Sequence, residues 1–375
     1  MKPEISIILP CRNEEEALPF CLKQIKQVIK KNKLSAEIIV SDSSTDKSPE
    51  IAKRENVVLV KHNKDGYGNA YLEGFKKAQG DYIFMADADG TYNFKEIPHF
   101  IKQIKDGFDM AIGDRFAGKM EKNAMTFSHK YIGNPILSLL LKLFFGGDIR
   151  DPQCGMRAFK TSLLEKLNLQ TTGFEFISEI TIRSIGLNLK IKQIPINYYN
   201  RSGKSKLRSF SDAWRNIRFM LLYSPLFLFL IPGIILFLMG ALSMFWFYFG
   251  SPNIFGIKLI YYPMFLSSFL TIVGYQLIFF SAFAKIYLMN HLKEKDPFLE
   301  KTFEYITIER ASIMGAILLL LGMLFWSLII IKWINSGFGE LHEIKISVVA
   351  LTFAIIGIQT IFSSFMLSML SIRGK

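Results

Sequence analysis

The chain has 375 residues, half of them hydrophobic, with 45 Lys and Arg against 32 Asp and Glu for a formal net charge of +13. That length allows about two domains, and the charge suits a protein that lies against anionic headgroups and handles phosphorylated molecules. No recognition module or aromatic-interleaved basic stripe accompanies the charge, which weighs against nucleic acid.

The start, Met1 to Pro10, is too short and too strand-like for a signal peptide, so the residues ahead of the first apolar span are expected to stay in the cytosol. Cys11, Cys21 and Cys154 show no metal-ligand spacing and read as ordinary thiols in that compartment. Apolar runs then alternate with amphipathic stretches. Strands are expected at Ile5–Leu9, Glu37–Ser41, Val57–Lys61, Asp81–Ala86 and Asp109–Gly113, with helices at about Ala17–Lys31, Lys47–Glu55, Gly68–Ala78 and Phe94–Lys105. Such alternation predicts an α/β domain on a parallel sheet. The strand-to-helix turns hold Pro10 to Glu14, Asp42 to Asp46, and Gly66-Tyr67-Gly68. Short polar residues there cap helices, and helix N-termini attract anions; Asp46 reads as a cap.

The fourth strand runs into Asp87 and Asp89, with one residue between them and Gly90 behind. In open α/β sheets ligands bind beyond the carboxyl ends of strands. Carboxylates at that point can hold Mg2+ or Mn2+, which bridges them to substrate phosphates. An isolated Asp-x-Asp is more often a solvated turn, and the surrounding motifs reverse that balance.

After Gly113 the pattern loosens to Arg115, a basic polar stretch, and an apolar helical run at Pro135–Phe145. That run is too short to span a bilayer; it either dips into the interface or covers the site. A last soluble block, Asp151 to Tyr199, ends in the basic segment Arg201 to Arg208. Ser209–Tyr223 reads as a juxtamembrane helix with Trp214, Ile217, Phe219 and Leu222 toward the membrane and Arg215 and Arg218 near headgroups.

Four stretches carry no charged residue: Phe219 to Ile257, Leu259 to Ala284, Ala311 to Ile331, and Ile346 to Ile372. Each can cross a hydrocarbon core, and Trp246, Tyr248, Trp326 and Trp333 fall near the expected interfaces. Lys293, Lys295, Lys301 and Arg310 lie between the second and third stretches, and Arg373 and Lys375 follow the fourth. The other loops offer mainly Lys258, Lys332 and Lys345, so the positive-inside rule puts both termini in the cytoplasm. Gln276 and Gln359 are the strongest hydrogen-bonding groups inside the spans, which argues against an ion-coupled transporter. Gly233, Gly240 and Gly322 could pack between subunits of a homo-oligomer. The expected division is 1–208 for the α/β domain, 209–223 for the juxtamembrane helix, and 224–375 for a four-helix transmembrane domain.

Ile8 to Glu14, Val40 to Asp46, Asp87-Ala88-Asp89, Gly113-Asp114-Arg115, Asp151 to Arg157 and Arg201 to Lys206 come in a specific order and spacing. Together they resemble family 2 glycosyltransferases of GT-A fold, and within them dolichyl- or polyprenyl-phosphate hexose synthases. The resemblance implies a GT-A (Rossmann-like) α/β catalytic domain followed by four transmembrane helices. It implies an inverting enzyme that takes a hexose from GDP-mannose or a UDP-hexose such as UDP-glucose and passes it to dolichyl or polyprenyl phosphate. Pro10, Asn13, Glu14, Asp42 and Asp87 would bind the nucleotide. Asp87 and Asp89 would bind Mg2+ or Mn2+. Arg115, Lys130 and Arg201 would hold the acceptor phosphate, with Asp89, Arg115 and Arg201 as the catalytic residues. Two positions depart from close relatives. Thr91 stands where a metal-reaching Gln is frequent, and Lys130 replaces an arginine, keeping the charge but losing bidentate geometry.

A lipid phosphate has a second pKa near ~6 and is largely dianionic at neutral pH. It needs cations to hold it, whereas a hydroxyl acceptor needs a carboxylate or imidazole as base. Arg115, Lys130, Arg157, Arg201, Lys204 and Lys206 favour the phosphate. Lys204 and Lys206 are equally explained by docking on anionic lipid, and Arg157 by structural pairing with Asp151. Glu175 and Glu179 stand one helical turn apart in an apolar segment. Glu175 is expected to hold sugar hydroxyls or serve the structure, and a base for a hydroxyl acceptor is the alternative. His62, His99 and His129 read as incidental. The runner-up enzyme glycosylates a hydroxyl of a glycolipid or cell-surface polysaccharide, although the Gln-x-x-Arg-Trp string of processive synthases is missing. A transporter or scaffold with a dead soluble domain is the third reading.

Overall fold

A computed structural model describes residues 2–203, 209–254, 257–258, 261–292 and 307–371. Lys204, Lys206, Lys293, Lys295, Lys301, Arg373 and Lys375, to which the sequence assigned roles, lie outside them. The chain divides into two compact units, Met1–Met220 and Leu221–Lys375.

The first unit is built on seven strands: β1 Ile5–Cys11, β2 Ala36–Asp42, β3 Val58–Lys61, β4 Tyr82–Met85, β5 Met110–Asp114, β6 Arg157–Lys160 and β7 Ile191–Pro195. Their order across the sheet is β3-β2-β1-β4-β6-β5-β7. β1 is buried along nearly its whole length, as befits a strand covered on both faces. Helix α1, Leu18–Asn32, buries Leu18, Cys21, Leu22, Ile25 and Val28, an i, i+3, i+4 stripe of apolar side chains. Helices α2 (Ser48–Arg54), α3 (Tyr67–Phe75) and α4 (Ile97–Lys105) follow strands two, three and four as expected. Core aromatics interlock: Phe84 meets Phe100 edge-on at 5.6 Å, and Tyr71 stacks on a later phenylalanine, Phe176, at 5.7 Å. The order reverses at β1 and β4, so a crevice opens beyond their carboxyl ends.

The sheet is mixed, not wholly parallel. β6 runs antiparallel between β4 and β5, whereas every other pairing in this sheet is parallel. It escaped the sequence reading because its four residues begin with Arg157, a charged side chain that the fold buries completely. All three cysteines are free and buried, and burial pushes each thiol up to about 12, in keeping with ordinary thiols. The remaining helices are α5 Asn134–Phe145, α6 Leu163–Leu167, α7 Phe176–Gly186 and α8 Ser209–Leu222. The division between the units falls inside α8, where Asn216 accepts a hydrogen bond from Ser178 of α7 at 2.7 Å. Of the side chains expected toward the membrane, Trp214 and Leu222 are exposed and Phe219 is buried.

The second unit contains α9 Ile231–Phe249, preceded by a π-helical turn at Leu226–Leu230, then α10 Tyr262–Leu292, α11 Ile308–Asn335 and α12 Ile344–Ser371. Each is long and apolar enough to cross a membrane, and only 11 % to 33 % of their most apolar windows is buried, so the apolar side chains face outward. α9 packs on α10 and α11 on α12. A Cβ on Gly240 would lie 2.4 Å from the Thr271 nitrogen, and one on Gly322 2.8 Å from the Ala350 oxygen. Gly233 likewise packs on Gly274, so the three glycines considered for subunit contacts join helices of one chain. Hydroxyls supply several of the hydrogen bonds between helices, Ser268 to Thr352 at 2.7 Å and Tyr275 to Thr360 at 2.6 Å, and Asn290 and Lys345 donate to the Leu370 and Phe247 carbonyls, while the buried Gln359 carbonyl oxygen has no partner among the described residues.

Candidate active site

The acid pair lies just past β4, at the crevice where the strand order reverses. Asp87 accepts a hydrogen bond from the Tyr67 hydroxyl at 2.6 Å. Tyr67 is positioned by stacking on Phe174 at 5.3 Å, and the glycines on either side of it let the backbone close in. A Cβ on Gly66 or Gly68 would come within 2.2 Å of the Thr172 or Thr171 carbonyl oxygen. The Gly-Tyr-Gly turn therefore delivers a hydroxyl to the first aspartate. Gly155 backs onto the same carboxylate, its hypothetical Cβ falling 2.9 Å from Asp87 Oδ2.

Asp89 is 7 % exposed. Its Oδ1 accepts from the Thr91 amide at 3.1 Å and the Thr91 hydroxyl at 2.6 Å, while Oδ2 faces Arg201 Nη1 at 3.4 Å. Thr91 thus orients the second aspartate. Arg201 Nη2 is also paired with Glu14, giving a Glu14–Arg201–Asp89 chain of charges. Burial, then the neighbouring charge of Asp89, pushes the Asp87 carboxyl well above the usual carboxylate range, against the opposing pull of Tyr67, Arg201 and Arg115.

A half-buried Asp87 beside a buried Asp89, each raising the cost of the other's charge, suits a divalent cation. Hydroxyl donors sit on Oδ1 of each carboxylate, whereas Oδ2 of Asp89 faces only the guanidinium of Arg201, so the two Oδ2 atoms are the ones an ion would take. Among the described residues no group of three His, Cys, Asp or Glu side chains could hold a metal by itself. Water and substrate phosphates would complete the shell, as they do for Mg2+ and Mn2+ in phosphate chemistry.

The β1 and β2 turns are knitted together beside this pair. Asn13, in the left-handed region at φ 53°, donates its amide to Ser44 Oγ at 2.7 Å and accepts from the Thr45 amide at 2.8 Å. Ser44 donates to Asp42 Oδ1, and the other oxygen of this fully buried aspartate has no partner among the described residues. Asp46 accepts from the amides of Ser48 and Glu15 and pins the first turn, while the N-cap position of α2 falls to Lys47, so Asp46 stands one residue outside the expected cap. Pro10 pairs with Ser41 at the end of the β1–β2 ladder.

The three cations expected on the acceptor phosphate do not form one cluster. Arg115 is spent on Asp151, with Nε and Nη2 bonding the two carboxylate oxygens at 2.6 and 2.8 Å, and its guanidinium lies 5.1 Å from the Tyr198 ring. Burial opposes its charge, but Asp151 more than restores it. Asp151 is therefore the partner of Arg115, not of Arg157. Arg157 is fully buried and donates instead to the carbonyls of Cys154 and Pro152 and to the Thr181 hydroxyl. Lys130 sits in a π-helical turn, His129–Gly133, with Nζ 5.3 Å from the Tyr131 ring centroid. It lines a cavity of about 630 Å³ with Asp114, Phe116, Leu139, Lys142 and Arg150, which none of Asp87, Asp89 and Arg201 lines. Beside it, Ile132, Ile136, Leu139 and Leu143 run as an exposed apolar stripe into α5.

Glu179 is fully buried and accepts from Thr171, Gln170 and Arg183, which makes it a structural acid. Glu175 keeps a buried Oε2 with no hydrogen bond among the described residues, 4.0 Å from Arg215 Nε. Both ring nitrogens of His62 are buried without a partner among the described residues, His99 is paired loosely with Glu96 at 3.9 Å, and His129 bonds Thr126.

Residues 6–168 match the model of glycosyl transferase family 2, and residues 282–371 that of the glycosyltransferase family 2 C-terminal transmembrane region. The chain is also 36 % identical over 369 residues to the low-salt glycan biosynthesis hexosyltransferase Agl6 of Haloferax volcanii, covering 98 % of this chain and 89 % of that one. It belongs to glycosyltransferase family 2. The protein is accordingly a membrane-bound glycosyltransferase whose mixed α/β unit is a GT-A-like domain. A dolichyl-phosphate hexose transferase of Haloferax volcanii is 29 % identical over 56 % of the chain and 89 % of that relative. A dolichol-phosphate mannosyltransferase of Pyrococcus furiosus is 31 % identical over 55 % of the chain and 59 % of its own length. Among solved structures, glucosyl-3-phosphoglycerate synthase of Mycobacterium tuberculosis with Mn2+, UDP and glucosyl-3-phosphoglycerate covers 59 % of this chain and 80 % of its own, with 19 % identity and a TM-score of 0.48, a likeness too remote to carry an argument.

Proposed function

We propose that the protein transfers a hexose with inversion from a nucleoside diphosphate sugar, GDP-mannose or a UDP-hexose such as UDP-glucose, to dolichyl or polyprenyl phosphate at the cytoplasmic face of the membrane. The observation that carries this reading is the mutually repelling pair of half-buried Asp87 and buried Asp89 at the crevice with Arg201 beside it. The pair would hold Mg2+ or Mn2+, which supplies electrophilic stabilisation of the departing diphosphate. Pro10, Asn13, Glu14 and Asp42 line the turns where a nucleotide would lie, and the unpartnered Asp42 oxygen is ready to accept an N–H from it. An ionised phosphate acceptor needs positive charge and alignment, not proton removal. Arg201 is the arginine placed to give that charge; Arg115, neutralised by Asp151, braces the loops around it. Lys130 would meet the acceptor from the side of α5, whose exposed stripe suits the lipid interface.

A hydroxyl acceptor is the second reading, favoured by Glu175 Oε2, which has no hydrogen bond among the described residues and only a loose ion pair with Arg215, a candidate general base. Purified protein with Mn2+ or Mg2+, given radiolabelled GDP-mannose or UDP-hexoses and polyprenyl phosphate, separates the two. The expected product extracts into organic solvent, releases its sugar in mild acid, and disappears with EDTA. Asp89→Ala should lower transfer by about 100-fold or more, the size of losing one transition-state electrostatic contact. Transfer confined to a hydroxyl acceptor and abolished by Glu175→Gln would overturn the phosphate reading.

A further inference from the structure

We propose that Arg201 is an exchangeable counter-ion for the metal site: its guanidinium and the divalent cation are alternative occupants of Asp89 Oδ2, and the cation's arrival releases Arg201 toward the substrate phosphates. The inference rests on the reading of Asp87 and Asp89 as the cation site.

Three features of the geometry carry it. The first is tethering. Tyr199 donates its amide to the Thr91 carbonyl at 3.0 Å, and Ser202 donates to the Asp89 carbonyl at 3.0 Å, so the backbone on both sides of Arg201 is stitched to the Asp-x-Asp loop. Arg201 can swing its side chain but cannot leave. The second is competition for a single atom. Thr91 occupies Asp89 Oδ1 with two hydrogen bonds, and Oδ2 is the oxygen that Arg201 faces. A cation seated on this carboxylate would lie against the guanidinium, and repulsion between the two positive charges sets them in competition for the same side of Asp89.

The third is unequal grip. Arg201 bonds Glu14 closely through Nη2, but its Nη1 stands 3.4 Å from Asp89, beyond the usual N–H···O range, and its buried Nε has no partner. The contact with Asp89 is thus charge compensation more than a hydrogen bond, and it exchanges easily. A doubly charged ion at about 2.1 Å attracts a carboxylate roughly three times as strongly as a single charge at the guanidinium distance, in the same dielectric. That stronger pull opposes the cost of stripping water from the ion and favours the metal over the guanidinium at Asp89.

Once displaced, the guanidinium is repelled by the cation and drawn to phosphate, with Nε and Nη1 both available. That imposes an order: metal with donor diphosphate first, acceptor phosphate second. Before the cation arrives, Arg201 is engaged with two acids and is a poor phosphate ligand.

The test reads metal binding, not turnover. Free Mn2+ is titrated by electron paramagnetic resonance against the full chain in detergent, without nucleotide, for wild type, Arg201→Gln, Arg201→Lys and Asp89→Ala. Arg201→Gln should bind Mn2+ on the order of fivefold tighter than wild type, the effect of removing one partly exposed competing ion pair. Arg201→Lys, which keeps the charge, should stay near wild type. Equal or weaker binding by Arg201→Gln overturns the exchange. Mn2+ binding that is absent from every protein even when GDP or UDP is added, or that is indifferent to Asp89→Ala, overturns the cation-site reading beneath it. A measurement on wild type alone guards against a variant that fails to fold. Mn2+ should speed phenylglyoxal modification of Arg201, followed by peptide mass spectrometry, and an unchanged or slower rate counts against release.

Discussion

The two units of this chain are held together by opposite means. The α/β unit buries charge and satisfies it: Arg115 on Asp151, Arg183 on Glu179, and Arg157 on carbonyls and a hydroxyl, all beneath a conventional apolar core. The helical unit turns its apolar side chains outward and closes on small residues and hydroxyls, with Gly240 against Thr271 and Ser268 against Thr352. In water the hydrophobic effect assembles the core, and a buried ion pair is retained for what it positions. In lipid that drive between helices is missing, and close backbone approach takes its place.

The comparison can be broken at its strongest joint. Asp151→Ala leaves the buried Arg115 uncompensated and should destabilise the α/β unit by about 3–5 kcal/mol. Thermal unfolding in detergent would show it, and a loss under 1 kcal/mol would mean the pair is incidental (roughly the ceiling for exposed pairs). Gly240→Leu drives a side chain into the α10 backbone. A loss of about 1–3 kcal/mol is expected, the range of overpacking, with the α/β transition unmoved. If the α/β transition moved instead, the two units would not be separate in stability. The smallest effect belongs to the hydroxyl pair. Ser268→Ala with Thr352→Val, taken as a double-mutant cycle, should give a coupling near ~0.6 kcal/mol. A coupling several times larger would say that hydroxyls, not glycines, hold the bundle.

Legibility in the sequence followed from what is local. β1, β2 and β4 announce themselves as apolar runs, and the acid pair is conspicuous because it ends one of them. Glu14 and Arg201 were found through motif order, although their meeting, 187 residues apart, is a product of the fold. The partner of Asp151 was misjudged for the same reason. Arg157 is nearer along the chain, but Arg115, 36 residues away, arrives at the end of a neighbouring strand with its guanidinium plane matched to the carboxylate. Tyr67 was missed as a site residue because an aromatic between two glycines advertises a turn; only the stacking on Phe174 and the bond to Asp87 reveal its task. Whether a helix glycine meets its own chain or a second copy is equally invisible in periodicity, and Gly240 and Gly322 show the first outcome.

The reversed direction of β6 has a consequence for how specificity could drift. Because β6 runs against its neighbours, its entrance, and not its exit, faces the acid pair. Gly155 therefore walls Asp87 with main chain, anchored by its amide to the Tyr92 hydroxyl at 2.9 Å. A wall of peptide cannot be enlarged or pared by exchanging one amino acid for another, and any added methyl there meets Asp87 and Tyr67 at once. Selection for a different donor would have to work from the facing turns of β1 and β2, where side chains rather than backbone form the surface.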